Sequence, residues 1–231
     1  MADFIEHPDF DTLCNVLAPR LAQALRNAVA ERSAASMALA GGSTPFPLYR
    51  RLASEALDWP RVTLLPGDER WVAADHDACN LRAIRAAFDD VDPRFGKLVP
   101  DTPGPEPSLE TARRTLAETP APFDACVLGM GADGHFASLF PAAPELDVGL
   151  DPAGSEALVI VTPDPMPEDA PFERVSLTLS AIAASRYLVL VLRGRRKREV
   201  LESARGADPR DCPVAALLAH NGPPLEIHWS P

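Results

Sequence analysis

From Phe10 to Arg32 apolar residues recur every three or four positions, at Leu13, Val16, Leu17, Leu21, Ala24, Leu25 and Ala28, and this spacing predicts a helix. Pro19 lies inside it and is expected to kink or divide it. The pattern then changes to short apolar runs that each enter a turn and a second helical stretch. Met37 to Ala40 reads as a strand running into Gly41-Gly42-Ser43-Thr44-Pro45, with a helix from Pro45 to about Leu57 that turns Leu48 and Leu52 inward. Val62 to Leu65 reads as a strand, a polar loop follows to Asp77, and Asn80 to Phe88 reads as a helix with Leu81, Ile84 and Ala87 on one face. A short strand at Leu98–Val99 and a helix near Ser108 to Glu118 come next. Ala125 to Leu128 is a strand that enters Gly129-Met130-Gly131-Ala132-Asp133-Gly134-His135 and a short helical turn. Strands at Ala157–Val161, Val175–Leu179 and Tyr187–Leu192, helices at Arg196–Ala204 and Pro213–His220, and a last strand at Leu225–Trp229 complete the chain.

Strands alternating with helices predict an α/β, Rossmann-like fold with a mainly parallel sheet and helices on both faces, read as one domain over residues 1–231. Ligand sites in such folds lie at the carboxyl ends of the strands.

Composition narrows the function classes. A net charge of −11 opposes general affinity for nucleic acid or anionic membrane, so any anionic ligand is small and locally held. Cys14, Cys79, Cys126 and Cys212 have neither C-x-x-C nor zinc spacing and read as reduced thiols, which fits a cytoplasmic location. No apolar run approaches the roughly 20 residues that span a bilayer, and Asp3 and Glu6 stand where a signal peptide needs basic and then apolar residues.

Four segments carry candidate chemistry. Gly42, Ser43 and Thr44 open a helix after a strand, where N–H groups and hydroxyls suit a phosphate; the plainer alternative is a turn with Ser43 or Thr44 as N-cap. Asp68-Glu69-Arg70 follows a strand, so Arg70 can grip a phosphate and Asp68 can position water or hydroxyls; alternatively it is a solvated charge triplet. In Gly129-x-Gly131-x-Asp133-Gly134-His135, the turn delivers His135 to the sheet edge as a base near neutral pH, with Asp133 to orient it. His7, His76, His220 and His228 read as structural. Lys197, one of two lysines against twenty arginines, lies in the first turn of a helix, and Arg174 begins a strand as a further anion contact. Asp75-His76-Asp77 lacks the converging spacing a metal needs, so no metal site is expected.

These segments, taken in order, closely resemble the 6-phosphogluconolactonase family within the glucosamine-6-phosphate isomerase superfamily. The motifs are Gly41-Gly42-Ser43-Thr44-Pro45, Asp68-Glu69-Arg70 with Asn80, Leu128 to Pro141, Arg174 to Leu179 and Gly194-x-x-Lys197, and the match runs from about Met37 to Trp229. The resemblance implies hydrolysis of 6-phospho-D-glucono-1,5-lactone in the oxidative pentose phosphate pathway; a monomer is expected, and no cofactor, because the ester is activated and no redox step occurs. It implies His135 as base, Asp133 and Asp68 as its catalytic companions, and Gly42, Ser43, Thr44, Arg70, Asn80, Arg174 and Lys197 as substrate contacts. The related deaminases follow the Asp-Gly-His turn with a catalytic glutamate, whereas this chain has Ala137-Ser138-Leu139-Phe140-Pro141. A non-catalytic sugar-phosphate sensor is the third reading, and no helix-turn-helix segment accompanies it. Cys79, Ala132 and Phe136 depart from the usual serine, proline and threonine, and Phe136 adjoins the base.

Overall fold

Along strands β2 (Ala35–Leu39), β6 (Ala125–Leu128) and β9 (Leu188–Arg193), successive side chains enter two different cores. Met37, Leu39, Val127, Val189 and Val191 pack into one; Ala38, Cys126, Leu128, Leu190 and Leu192 pack into the other. A strand's period of two produces this only when both faces of the sheet are covered. The computed structural model describes residues 2–168 and 170–231. It shows a seven-stranded sheet in the order β1-β10-β9-β6-β2-β3-β5, with β1 at Asp3–Glu6, β3 at Val62–Pro66, β5 at Arg94–Phe95 and β10 at Leu225–Ser230. Every pairing in it is parallel, as the alternation of elements predicts.

One face is covered by α1 (Phe10–Arg32), α2 (Phe46–Ala53) and α3 (Asn80–Ala87). Pro19 does not divide α1, which runs for 23 residues from an Asp9 cap that accepts the Thr12 N–H at 2.7 Å to Ser33 in the left-handed region. An internal proline costs about 3 kcal/mol. Leu13, Leu17, Leu21 and Leu25 are fully buried along this helix, and each such side chain returns roughly 1.5–3 kcal/mol, so packing outweighs the lost bond. The opposite face carries α4 (Glu110–Glu118), α5 (Leu146–Gly149), α6 (Leu179–Ala183), α7 (Arg195–Ser203) and α8 (Val214–Ala219).

A second sheet lies against this face: β4 (Asp68–Arg70), β8 (Arg174–Leu177) and β7 (Leu158–Val161), antiparallel throughout. Asp68-Glu69-Arg70 is thus a strand, not the loop its polarity suggests. The strand expected at Val175–Leu179 ends at Leu177, because the Thr178 side chain caps α6 through the Ala181 N–H. All four residues of β8 are buried. Leu98–Val99 forms no strand and fills the core, while Arg94–Phe95 pairs with β3 instead. The helical turn expected after His135 is a tight turn closed by a bridge between Phe136 and Leu139.

The chain order places the site. From β2 the chain proceeds outward through β3 to β5, then returns to the other side of β2 as β6 and proceeds the opposite way through β9 to β10. The loops leaving β2 and β6 therefore diverge and open a crevice at their carboxyl ends. Those loops are Gly41–Thr44 and Gly129–His135.

Candidate active site

A cavity of about 300 Å³ opens at this crevice, lined by Gly42, Thr44, Asp68, Arg70, Asn80, His135, Arg174 and Lys197 among others. These eight residues come from six separate places in the sequence. Of the expected site residues, Ser43 is exposed and does not line the cavity, and Asp133 stands behind His135. Neither Ser43 nor Thr44 caps α2; Pro45 takes that position without a side-chain bond.

His135 is fixed from three sides. Its Nδ1 lies 2.7 Å from Asp133 Oδ1, and the same oxygen accepts the His135 backbone N–H at 3.2 Å. Burial opposes ionisation of Asp133, but the bond and charge of His135 outweigh it and hold the carboxyl below its usual range. An ionised Asp133 keeps the proton on Nδ1 and leaves Nε2 as the acceptor in the neutral ring. Phe140 packs on the imidazole at 4.3 Å between ring centroids. Gly131 closes the third side: a Cβ there would stand 2.2 Å from Nδ1 and 2.4 Å from Asp133 Oδ1. The glycine is required by close approach of the ring.

The cationic side of the cavity is built on the antiparallel sheet. Arg70 and Arg174 are direct partners across β4 and β8, a like-charge pairing that sheets disfavour. Each is held by neutral acceptors. Arg70 Nη1 donates to Asn80 Oδ1 at 2.6 Å and the Ala78 carbonyl at 2.9 Å, and Arg174 donates to the carbonyls of Phe172 and Ala170. Arg174 is buried and lies over the Phe140 ring at 4.9 Å, and burial pushes its pKa down. Lys197, from the first turn of α7, is also pushed down by burial, against the opposing pull of Asp133. Among the described residues no carboxylate forms an ion pair with Arg70, Arg174 or Lys197. In a chain of net charge −11 this is a local concentration of positive charge.

Asp68 is the single carboxylate among the described residues lining the cavity, and its Oδ2 accepts the Ser138 hydroxyl at 2.5 Å. Asn80 lies so near the first loop that a Cβ on Gly41 would meet its Oδ1 at 2.1 Å. Its Nδ2 donates to the Asp68 carbonyl at 2.8 Å.

Among the described residues no three His, Cys, Asp or Glu side chains converge as metal ligands. At Asp75-His76-Asp77, His76 Nδ1 accepts the Ala78 N–H and Asp77 pairs with Arg82. Three residues of the site escape a reading of the sequence: Ser138 on Asp68, Phe140 between His135 and Arg174, and Glu69, buried beneath Arg70. Phe140 lies five residues beyond His135 in an apolar run and gives no local signal; Glu69 is marked only by standing in a charged triplet.

The chain matches the family described as glucosamine-6-phosphate isomerases/6-phosphogluconolactonase over residues 8–229. A 6-phosphogluconolactonase of Pseudomonas putida is 37% identical over 231 residues, covering 98% of this chain and 92% of that one. One from Caulobacter vibrioides is 37% identical over 226 residues, covering 95% and 94%. The crystal structure of a 6-phosphogluconolactonase from Shewanella baltica superposes with a TM-score of 0.92 at 34% identity, covering 100% of this chain and 98% of that one. A monomeric glucosamine-6-phosphate deaminase, at 20% identity and a TM-score of 0.75, shares the fold. Matching along nearly its whole length, the chain belongs to the glucosamine-6-phosphate isomerase/6-phosphogluconolactonase family.

Proposed function

We propose that this chain, as one domain over residues 1–231, hydrolyses 6-phospho-D-glucono-1,5-lactone to 6-phospho-D-gluconate, the second step of the oxidative pentose phosphate pathway. The observation that carries the reading is that His135 and the three cations Arg70, Arg174 and Lys197 line one cavity. A phosphorylated lactone needs both: a base at the ester and an anchor for the dianion.

In this reading His135 Nε2 takes a proton from water as the oxygen attacks C1, the carbonyl becomes an oxyanion, and the C1–ring oxygen bond then breaks. The imidazolium returns its proton to the departing ring oxygen, so the lactone is opened and the imidazole is regenerated. Asp133 stabilises the imidazolium and fixes its orientation. Arg70, Lys197 and Arg174, with Gly42 and Thr44, hold the phosphate. Asp68 and Asn80 align hydroxyls, Asp68 being steadied by Ser138. Ser43, exposed on the same turn, contributes its backbone at most. The ester is activated and no electron is transferred, so neither cofactor nor metal enters the scheme.

A deaminase of the related kind uses a glutamate after the histidine. Here that segment supplies Ser138 and Phe140 to the cavity instead. One chain provides every group in the scheme, so a monomer suffices. The charge of −11 argues against polyanionic partners. Among the described residues no helix is long and apolar enough to cross a membrane, and we place the enzyme in the cytoplasm.

The test is hydrolysis of freshly generated 6-phosphogluconolactone, coupled to oxidation of the acid formed, with spontaneous opening subtracted. Turnover above background is expected, and it should be far slower for the unphosphorylated lactone. No turnover, or release of ammonia from glucosamine 6-phosphate, would overturn the assignment.

A further inference from the structure

Glu69 stands between Asp68 and Arg70 on β4, so the alternation of the strand turns it away from the cavity that both neighbours line. It is only 3% exposed. Its carboxylate accepts the backbone N–H of Arg70 at 2.9 Å, of Asn80 at 2.7 Å and of Leu81 at 2.8 Å, and Cys79 Sγ lies 3.6 Å away. Asn80 and Leu81 are the first residues of α3, whose one other N-terminal cap among the described residues is Cys79 Sγ, a weak acceptor, at 3.4 Å from the Arg82 N–H. Two orphan donors of this helix are thus satisfied by a side chain from another element.

The same few residues hold Arg70. Both acceptors of its Nη1, Asn80 Oδ1 and the Ala78 carbonyl, lie in the chain entering α3. Two of the bonds that Glu69 accepts, from the N–H groups of Asn80 and Leu81, tie this stretch to β4, beside the bond from Asn80 Nδ2 to the Asp68 carbonyl. Burying this carboxylate is costly, and desolvation pushes its pKa up to about 7 despite those bonds. No contact with the cavity compensates that cost.

We propose that Glu69 is a positioning residue for anion binding: by pinning the start of α3 to β4 it fixes Asn80 and Ala78, and through them the direction in which Arg70 presents its guanidinium to the substrate phosphate. This rests on the reading of the cavity as a phosphate site. It has a diagnostic sign. Removing a negative charge beside an anion site should by itself tighten binding, whereas loss of positioning weakens it.

The experiment is calorimetric titration of 6-phosphogluconate into the wild-type protein, Glu69→Gln, Arg70→Ala and the double variant. In Glu69→Gln an amide N–H would face the Leu81 donor, so one bond becomes a repulsion. We expect Kd to rise about tenfold for Glu69→Gln and more for Arg70→Ala. Adding Glu69→Gln to Arg70→Ala should cause no further loss, because the guanidinium it positions is gone. Should Glu69→Gln fail to fold, Glu69→Asp, one methylene short, is put through the same cycle. Unchanged or tighter binding by the Glu69 variant, beside weakened binding by Arg70→Ala, overturns the positioning role and leaves the phosphate site standing. Equal losses in both backgrounds overturn it as general loosening. Unchanged binding by both single variants overturns the phosphate site and this inference together.

Discussion

Two histidines of this molecule have the same kind of partner and opposite prospects. His135 places Nδ1 2.7 Å from Asp133, and His228 places Nε2 3.2 Å from Glu226. The difference lies at the other ring nitrogen. That of His228 is taken by His7 Nε2 at 2.9 Å, the two rings stacking 5.2 Å apart in the β1–β10 seam, with Arg20 and Tyr187 completing the bonds to Glu226. That of His135 is left for the cavity. A carboxylate beside an imidazole is thus no sign of catalysis by itself; the ring must also keep a nitrogen for a ligand.

The comparison is broken most severely at His135. His135→Ala should lower kcat by about 10² to 10⁴ with KM little altered, measured in the coupled assay; near-normal turnover would remove the ring from its role. Gly131→Ala tests the support of that ring. Its Cβ would intrude to 2.2 Å from Nδ1, and kcat should fall about 10- to 100-fold while the folded structure, followed by circular dichroism, is kept. An unaffected kcat would mean the ring tolerates displacement. Arg70→Ala should mainly raise KM, by about tenfold, because it removes binding to a remote group.

The structural pair should answer in stability and not in turnover. Burial lowers the pKa of both His7 and His228 from 6.5. The unfolded chain therefore takes up protons more readily, and stability, complete above pH 6.5, should decline as pH falls below it. His7→Phe should flatten that decline in urea titrations without changing kcat; an unaltered slope would show that the pair does not govern it. Glu69 has the opposite sign. Its pKa is raised from 4.5 to about 7, so the folded state holds the proton more tightly and its contribution fades as pH rises through that window, by up to about 3 kcal/mol. Relative to Glu69→Gln, the wild-type protein should lose stability between pH 5 and about pH 7.5; a constant difference would show that the carboxylate does not titrate there.

What could be read in the sequence followed the strength of local signals. The parallel sheet was legible because β2, β3, β6 and β9 are largely apolar runs of four to six residues. The turn to His135 was legible because glycines after a buried strand have few uses. In the antiparallel sheet β7 and β8 were legible as strands, but β4 was not. Asp-Glu-Arg has no apolar periodicity, and it becomes β4 only because β8 supplies the ladder and the start of α3 supplies donors for Glu69. β1 and β5, of four and two residues, are too short to show a pattern before their partners are known. At Pro19 the local rule was legible and gave way, since it carries no information about the core that α1 covers.

The register that sets Arg70 opposite Arg174 has a consequence for the lifetime of the protein. Under the proposed function, an anion shared by the two guanidinium groups would cancel a repulsion the fold otherwise carries, so occupancy should stabilise the native chain in proportion to the logarithm of ligand concentration. Abundant sugar phosphate should then slow digestion by proteases, and the enzyme would persist longest when its pathway is most heavily used.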